Sequence, residues 1–139
     1  MTLSIRREAG ISFGINAALS LVFFVAVFGL KMRALTWGVP DALALDFVPQ
    51  SIAVSLMSAL VPALIARKRF AMAIGLRPIM LRAITFALAG ALLGGLIAFL
   101  AGSAAFPPVQ LPFALALKLI YGGSLGALIT SLTLQRMTR

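Results

Sequence analysis

Four long apolar stretches dominate the chain, and they cover residues 10–30, 48–66, 79–102 and 113–134. Each is long enough for the roughly 20 residues that an α-helix needs to cross about 30 Å of hydrocarbon. In lipid every backbone polar group must be paired internally, which favours helices for such stretches. The pattern predicts an all-α membrane protein of one domain over residues 1–139, with four transmembrane helices in an antiparallel bundle.

The composition argues against most catalytic chemistry. The chain is 62% hydrophobic and 11% charged, and it contains neither cysteine nor histidine. Disulfides, thiolate chemistry and the commonest metal ligands are therefore excluded. Only three acidic residues are present, and no glycine-rich phosphate loop precedes a helix. We expect a protein that is not an enzyme and that has no cofactor or metal site.

Lysine and arginine are distributed unevenly over the connections. Arg6 and Arg7 precede the first stretch, Arg136 and Arg139 follow the fourth, and five basic residues lie around the second connection: Arg67, Lys68, Arg69, Arg77 and Arg82. The first connection has only Lys31 and Arg33, and residues 103–112 carry no charge. The positive-inside rule predicts that both termini face the cytoplasm of a bacterial inner membrane.

The net charge of +9 is explained by this topology, so we expect no nucleic-acid partner. The five basic residues of the second connection are expected to contact anionic lipid head groups, each contributing about 1 kcal/mol.

The two halves of the chain resemble each other weakly. When Gly29 is aligned with Gly102, the matched pairs include Phe13 with Phe86, Ala18 with Ala91, Phe47 with Phe113, and Ser58 with Ser124. A repeat of two spans keeps its orientation in the membrane, so the halves would be parallel repeats. Chance matching among apolar residues is the alternative.

The first connection, residues 31–47, contains Trp37 and Pro40. Tryptophan is enriched at membrane interfaces, and proline favours the first turn of a helix. The pattern indicates a short helix lying at the interface.

Small residues recur at intervals of four in the apolar stretches. Such faces let helices approach closely in lipid, where the hydrophobic effect does not drive association. We expect them to pack the four helices together, with a dimer face as the alternative; the principal glycines are Gly10, Gly14, Gly90, Gly94, Gly122 and Gly126.

Lys118 is the one charged residue well inside an apolar stretch. A lysine at a helix centre costs roughly 2.5 to 3.5 kcal/mol on insertion scales, so it needs a partner or a route to water. One alternative is that its long stem extends to the head groups. The other places it inside the bundle near Asp46 and Gln50, with Tyr121 one turn further along.

Asn16 and Ser20 form a second polar feature, one helical turn apart in the first stretch. Hydrogen bonding to a neighbouring helix is the simpler interpretation, because intramembrane amides are usually satisfied in this way.

Two functions are compatible with these features. The first is an accessory or structural subunit that packs against partner proteins or against copies of itself. The second is a small oligomeric transporter or channel for an anion or a small polar solute, in which Lys118, Asp46, Gln50, Asn16 and Ser20 line the pathway.

Overall fold

The computed structural model describes residues 4–138, and the regular structure of this part consists of helices and one short β pair. The helices are α1 (Ile5–Phe28), α2 (Phe47–Arg69), α3 (Leu76–Ser103) and α4 (Leu111–Met137), and the strands are β1 (Ala34–Leu35) and β2 (Val109–Gln110). All four helices are long and apolar enough to cross a membrane. Arg139, which the sequence placed with the cytoplasmic charges, lies outside the described residues.

The ends of the helices follow from local sequence. Ser4 precedes α1, and its hydroxyl accepts a hydrogen bond from the backbone N–H of Arg7 at 3.4 Å. Gly29 ends the helix with a φ of 76°, a conformation that favours glycine. Proline occupies the first turn of α4, where no intrahelical N–H bond is lost.

Helices α2 and α4 form the centre of the structure. They pack on each other, α1 packs on the other side of α4, and α3 packs on the other side of α2. Few contacts join α1 to α2, so a gap separates these two helices. Along the α1–α4 contact, Ser20 lies against Gly122 and Asn16 lies against Gly126. Residue numbers therefore fall along α1 as they rise along α4.

Glycines bring α2 and α3 into close contact. A Cβ atom added at Gly94 would lie 2.7 Å from the carbonyl oxygen of Phe47, and one added at Gly90 would lie 2.6 Å from that of Ser51. Both distances are shorter than any normal contact, so these positions require glycine. Gly122 and Gly126 have the same role between α4 and α1.

Gly10 and Gly14 do not contribute to packing within the chain. Both are exposed, and a Cβ atom added at either would meet nothing within 4 Å. The expectation that this face packs within the bundle is wrong, because α1 buries a different face. That face consists of Ser12, Asn16, Ser20, Phe24 and Phe28.

The connections that follow α1 and α3 meet at one end of the helices. Strands β1 and β2 pair in antiparallel register, with Ala34 opposite Gln110 and Leu35 opposite Val109. Leu35 and Leu43 are fully buried there, in a cluster with Phe24 and Phe28 of α1 and Leu111 and Ala114 of α4. We refer to this end of the molecule, residues 29–46 and 104–110, as the capped end.

The short helix expected after Pro40 is not formed. Residues 37–46 form turns, and Ala42 has a φ of 54°. Backbone hydrogen bonds from Leu43 to Thr36 and from Ala44 to Trp37 fold the segment back on itself instead. The segment thus buries Leu43 within the capped end.

Large apolar side chains cover the outside of the helices. Leu92 is 77% exposed and Phe99 is 69% exposed on α3, and Phe113 of α4 is 72% exposed. Such an apolar surface fits hydrocarbon as the surrounding solvent, in agreement with the length and composition of the four helices.

Candidate functional site

Lys118 is buried and forms an ion pair with Asp46. Its Nζ atom lies 2.8 Å from Oδ2 of Asp46, and the residue is only 2% exposed. The lysine lies seven residues into α4, a depth of about 10 Å at 1.5 Å per residue. Of the two alternatives from the sequence, extension to the membrane surface is therefore wrong, and the buried arrangement is observed.

Asp46 is available to Lys118 because it does not cap its own helix. It immediately precedes α2, but its carboxylate makes no capping hydrogen bond to the first backbone N–H groups. Its side chain is 24% exposed. The contact with Lys118 is an ion pair whose angles do not fit a hydrogen bond. The ammonium therefore has N–H groups that can donate to another acceptor.

An aromatic face completes the surroundings of the ammonium. Nζ of Lys118 lies 3.9 Å from the ring centroid of Phe47, a cation–π contact. The Phe47 ring packs edge-on against Tyr121 with centroids 5.0 Å apart. The Tyr121 hydroxyl pairs with the Ser51 hydroxyl, which donates to the carbonyl oxygen of Phe47 at 2.6 Å. Tyr121 thus supports the site from behind Phe47.

Gln50 connects three helices beside the ion pair. Its Nε2 atom donates to the Ser20 hydroxyl at 3.1 Å and to the carbonyl oxygen of Lys118 at 3.0 Å. Its Oε1 atom is buried and has no hydrogen-bond partner among the described residues. A buried amide oxygen without a donor is costly, so the structure leaves one acceptor unsatisfied at this position.

A cavity of about 460 Å³ lies next to these polar groups, in the gap between α1 and α2. Its volume falls in the range of about 300 to 1,000 Å³ that is typical of ligand pockets. Asp46, Gln50, Lys118, Asn16 and Ser20 provide its polar wall. The remaining wall is apolar and includes Leu19, Phe23, Phe24, Val27, Val54 and Met57.

Asn16 also belongs to a separate hydrogen-bond network. Its Nδ2 atom donates to the Ser12 carbonyl at 2.8 Å and to the Ser12 and Ser58 hydroxyls at 3.1 Å each. Thr130 donates to the Ser12 hydroxyl at 2.8 Å and to the Ser58 carbonyl at 3.2 Å. This network ties α1, α2 and α4 together, so Asn16 has a clear structural role.

A second ion pair lies outside the helices, at the capped end. Arg33 Nη1 lies 2.7 Å from Oδ1 of Asp41, and Thr36 donates its backbone N–H to Oδ2 at 3.0 Å. The Thr36 N–H and the Arg33 guanidinium both stabilise the charged carboxylate and lower the pKa of Asp41. This pair holds the turn between β1 and α2.

The basic residues named from the sequence lie at the opposite end, around the α2–α3 connection. Arg67 Nε donates to the Ile74 carbonyl at 2.6 Å and so shapes the connection. Nη1 of Arg82 is buried without a hydrogen-bond partner among the described residues. Lys68, Arg69 and Arg77 are exposed, as lipid head-group contact would require.

The structure therefore brings together most of the residues that the sequence indicated. Lys118, Asp46, Gln50, Ser20 and Asn16 all line one cavity, whereas Tyr121 lies behind Phe47. Sequence reasoning missed Phe47 and Ser51, although their spacing of one turn at the start of α2 placed them on one face. It also missed the apolar wall, which no local pattern distinguishes from a lipid-facing surface.

Comparison with known proteins provides no relationship that would assign this site. No protein-family model, curated protein or solved structure matches the chain. The chemistry of the site must be read from its own groups: one ion pair of zero net charge, one free amide oxygen and an adjoining apolar cavity. The described residues contain no group of three or more acidic, histidine or cysteine side chains that could hold a metal ion.

Proposed function

We propose that this protein is a small membrane transporter that binds its solute in the α1–α2 cavity, at the Lys118–Asp46 ion pair. The observation that carries the proposal is that Gln50, whose buried Oε1 atom has no hydrogen-bond partner among the described residues, is one of the residues that line a cavity of about 460 Å³. The Asn16 network, in contrast, pairs the Asn16 amide nitrogen and the Ser12, Ser58 and Thr130 hydroxyls with one another. A solute that donates a hydrogen bond would satisfy the Gln50 oxygen.

Lys118 supports the same proposal. A charged residue inside a membrane-spanning helix is costly and commonly marks a transport pathway. Its ammonium has N–H groups left after pairing with Asp46, and it shares the cavity wall with Gln50. Lys118 can donate and Gln50 can accept, so these two lining residues have complementary hydrogen-bonding groups.

The experiment is cysteine labelling, for which the chain is well suited because it contains no cysteine. A solute that leaves the site for water needs a hydrated route to Gln50. We expect Gln50→Cys in sealed proteoliposomes to react with a membrane-impermeant maleimide added at the capped end, where Asp46 is partly exposed. Ser55→Cys is the matched control, because Ser55 is fully buried on the same helix.

Labelling of Gln50→Cys that is as slow as that of Ser55→Cys from both faces would overturn the proposal. If Gln50→Cys does not fold, Ser20→Cys tests the same hydrated route by its rate of labelling, because Gln50 donates a hydrogen bond to the Ser20 hydroxyl.

A second candidate is an accessory subunit that packs against a partner or a second copy of itself. The exposed face of Gly10, Gly14 and Ala18 on α1 favours it, because nothing among residues 4–138 covers either glycine and small residues let helices approach in lipid. If two copies meet there, Gly14→Cys forms an oxidised dimer in native membranes and Leu92→Cys on exposed α3 does not. Failure of Gly14→Cys to cross-link would remove self-association at this face.

We further propose that the helices form an antiparallel bundle in a bacterial inner membrane, with both termini and the α2–α3 connection in the cytoplasm. The excess of lysine and arginine at that end supports it. Lys68→Cys and Gly38→Cys should react with impermeant maleimide from opposite faces of the membrane. Reaction of both from one face would contradict this topology.

The halves are proposed to be tandem parallel repeats. The two most extensive helix contacts are α1 with α4 and α2 with α3. If the first half of the chain is exchanged with the second, each of these contacts becomes the other. The α2–α4 contact is unchanged by the exchange. The same exchange turns β1, which follows α1, into β2, which follows α3, and these two strands pair with each other in antiparallel register. A chain containing two copies of residues 1–74 that still assembles in the membrane would support this origin, and failure to insert would count against it.

A further inference from the structure

We infer that the ligand of the α1–α2 cavity is a single-chain amphiphile with an uncharged, hydrogen-bonding head group, which enters sideways from the lipid. This inference rests on the proposed solute site and names the class of molecule that it takes. It combines three observations: where the cavity opens, which groups lie at its polar wall, and what net charge they carry.

The cavity opens toward the lipid between α1 and α2. Apart from Lys118, all residues that line it belong to these two helices or to the residue before α2. Phe23 is 62% exposed, Val27 is 59% exposed and Met57 is 47% exposed. Exposed side chains on helices that cross a membrane contact acyl chains, so a molecule dissolved in the lipid reaches the cavity directly.

The capped end covers the cavity beside Phe24 but leaves the side chain of Asp46 24% exposed. Phe24 belongs both to the cavity wall and to the buried cluster with Leu35 and Leu43. The loop residues therefore pack against the wall of the cavity at that end. Access from the lipid side meets no such cover, because α1 and α2 share few contacts.

The polar wall selects the head group. Gln50 Oε1 requires a hydrogen-bond donor, and the Lys118 ammonium has N–H groups for an acceptor. A hydroxyl group has both a donor and an acceptor, so it can pair with either of these groups.

The charge of the wall argues against an anion. Lys118 and Asp46 are the charged residues on the wall, and their charges cancel at a separation of 2.8 Å. A carboxylate or phosphate head group would gain little attraction from this neutral pair and would lose its hydration. An alcohol has a much smaller desolvation cost, so the site favours it over a fatty acid anion of the same chain length.

The test is photoaffinity labelling of the full chain in phosphatidylcholine nanodiscs. The probes are dodecanol, dodecane and dodecanoate, each carrying a diazirine on the chain, and cross-links are mapped by mass spectrometry. We expect the alcohol to label Phe23 and Met57 about tenfold more than Leu92, a reference position on lipid-facing α3. Dodecane should label all three positions alike, and dodecanoate should show little enrichment.

Two variants sharpen the test. Gln50→Leu removes the acceptor and should abolish the enrichment of the alcohol. Asp46→Asn leaves the Lys118 charge without its partner and should transfer the enrichment to dodecanoate. Should Asp46→Asn fail to fold, Gln50→Leu alone still decides whether the head group is recognised.

Equal labelling of Phe23, Met57 and Leu92 by the alcohol would overturn the inference. Enrichment of dodecanoate in the unaltered protein would also overturn it, but would leave a solute site in the cavity and so spare the proposed function. Conversely, enrichment of the alcohol with unreactive Gln50→Cys would sustain the ligand class while removing transport.

Discussion

The Lys118 ammonium lies 2.8 Å from the Asp46 carboxylate, and this contact fastens the start of α2 to the interior of α4. The pair is asymmetric, because Lys118 is almost fully buried whereas the side chain of Asp46 is 24% exposed. Losing the acid therefore leaves a buried charge, whereas losing the lysine leaves a carboxylate that water can reach.

This asymmetry predicts that Asp46→Ala destabilises the protein more than Lys118→Leu does. Removing one partner of a fully buried pair typically costs 3 to 5 kcal/mol, and partial exposure of this pair reduces the expected cost of Asp46→Ala to about 2 kcal/mol. Unfolding in mixed detergent micelles by increasing sodium dodecyl sulfate measures the difference. Equal destabilisation by both variants would contradict the asymmetry, and Lys31→Leu in the exposed connection is the control.

Gly94→Ala should weaken the contact between α2 and α3. The added Cβ atom would lie 2.7 Å from the Phe47 carbonyl oxygen, so the helices must move apart, at a cost of about 1 to 3 kcal/mol. Gly95→Ala is a matched control one residue away, because its Cβ atom meets nothing within 4 Å. The same detergent unfolding measures both. A Gly94→Ala protein as stable as Gly95→Ala would show that this close approach is absent in the membrane.

Asn16→Ala should lower the free energy of unfolding in detergent by about 1 kcal/mol, within the range measured for hydrogen bonds between membrane helices. The substitution removes three hydrogen bonds that involve Ser12 and Ser58. Ser131→Ala is the control, because the Ser131 hydroxyl bonds only to Ala127 of its own helix. A cost no greater than that of the control would mean that Asn16 does not connect the helices.

The pH dependence of the capped end follows from Asp41. Its pKa is lowered below the ordinary value of 3.8 by the Thr36 N–H and by Arg33, so its contribution to stability is present above that value. The contribution is lost as the pH falls through the pKa of the folded state. A titration followed by the carboxyl carbon shifts of labelled aspartate should therefore place the pKa of Asp41 below that ordinary value.

Arg33→Gln should raise the pKa of Asp41 only in part, because the Thr36 N–H remains and is the larger cause. A titration of Asp41 at or above its ordinary value in the unaltered protein would contradict this arrangement.

The sequence predicted the helices because hydropathy and length are local properties. The stretch at 48–66 became Phe47–Arg69, and the stretch at 113–134 became Leu111–Met137. At their C-terminal ends the two helices continue into polar residues, Arg67–Arg69 and Gln135–Arg136, because polar side chains do not interrupt the backbone hydrogen bonds of a helix. Cytoplasmic orientation and the repeat origin of the halves stay predictions.

The capped end was not predictable from the same signals. Strands β1 and β2 have two residues each and pair across residues that are far apart in the chain. The strands form only where the connection after α1 meets the connection after α3. The spacing of apolar residues along the chain does not predict such a meeting. The same holds for Lys118, because its distance from the end of the apolar stretch can be read along the chain, whereas the face of α4 that meets Asp46 cannot.

The most direct test of the central claim is the distance between Lys118 and Asp46 in a lipid bilayer. The chain has only three lysines and two aspartates, and Asp41 is paired with Arg33. Solid-state NMR on protein labelled with ¹⁵N-lysine and ¹³C-aspartate therefore reports this pair almost alone. We predict a dipolar coupling that corresponds to an ion pair closer than about 4 Å and that disappears in Lys118→Leu. Three lysine signals without any coupling to aspartate would contradict the buried ion pair and the solute site built on it.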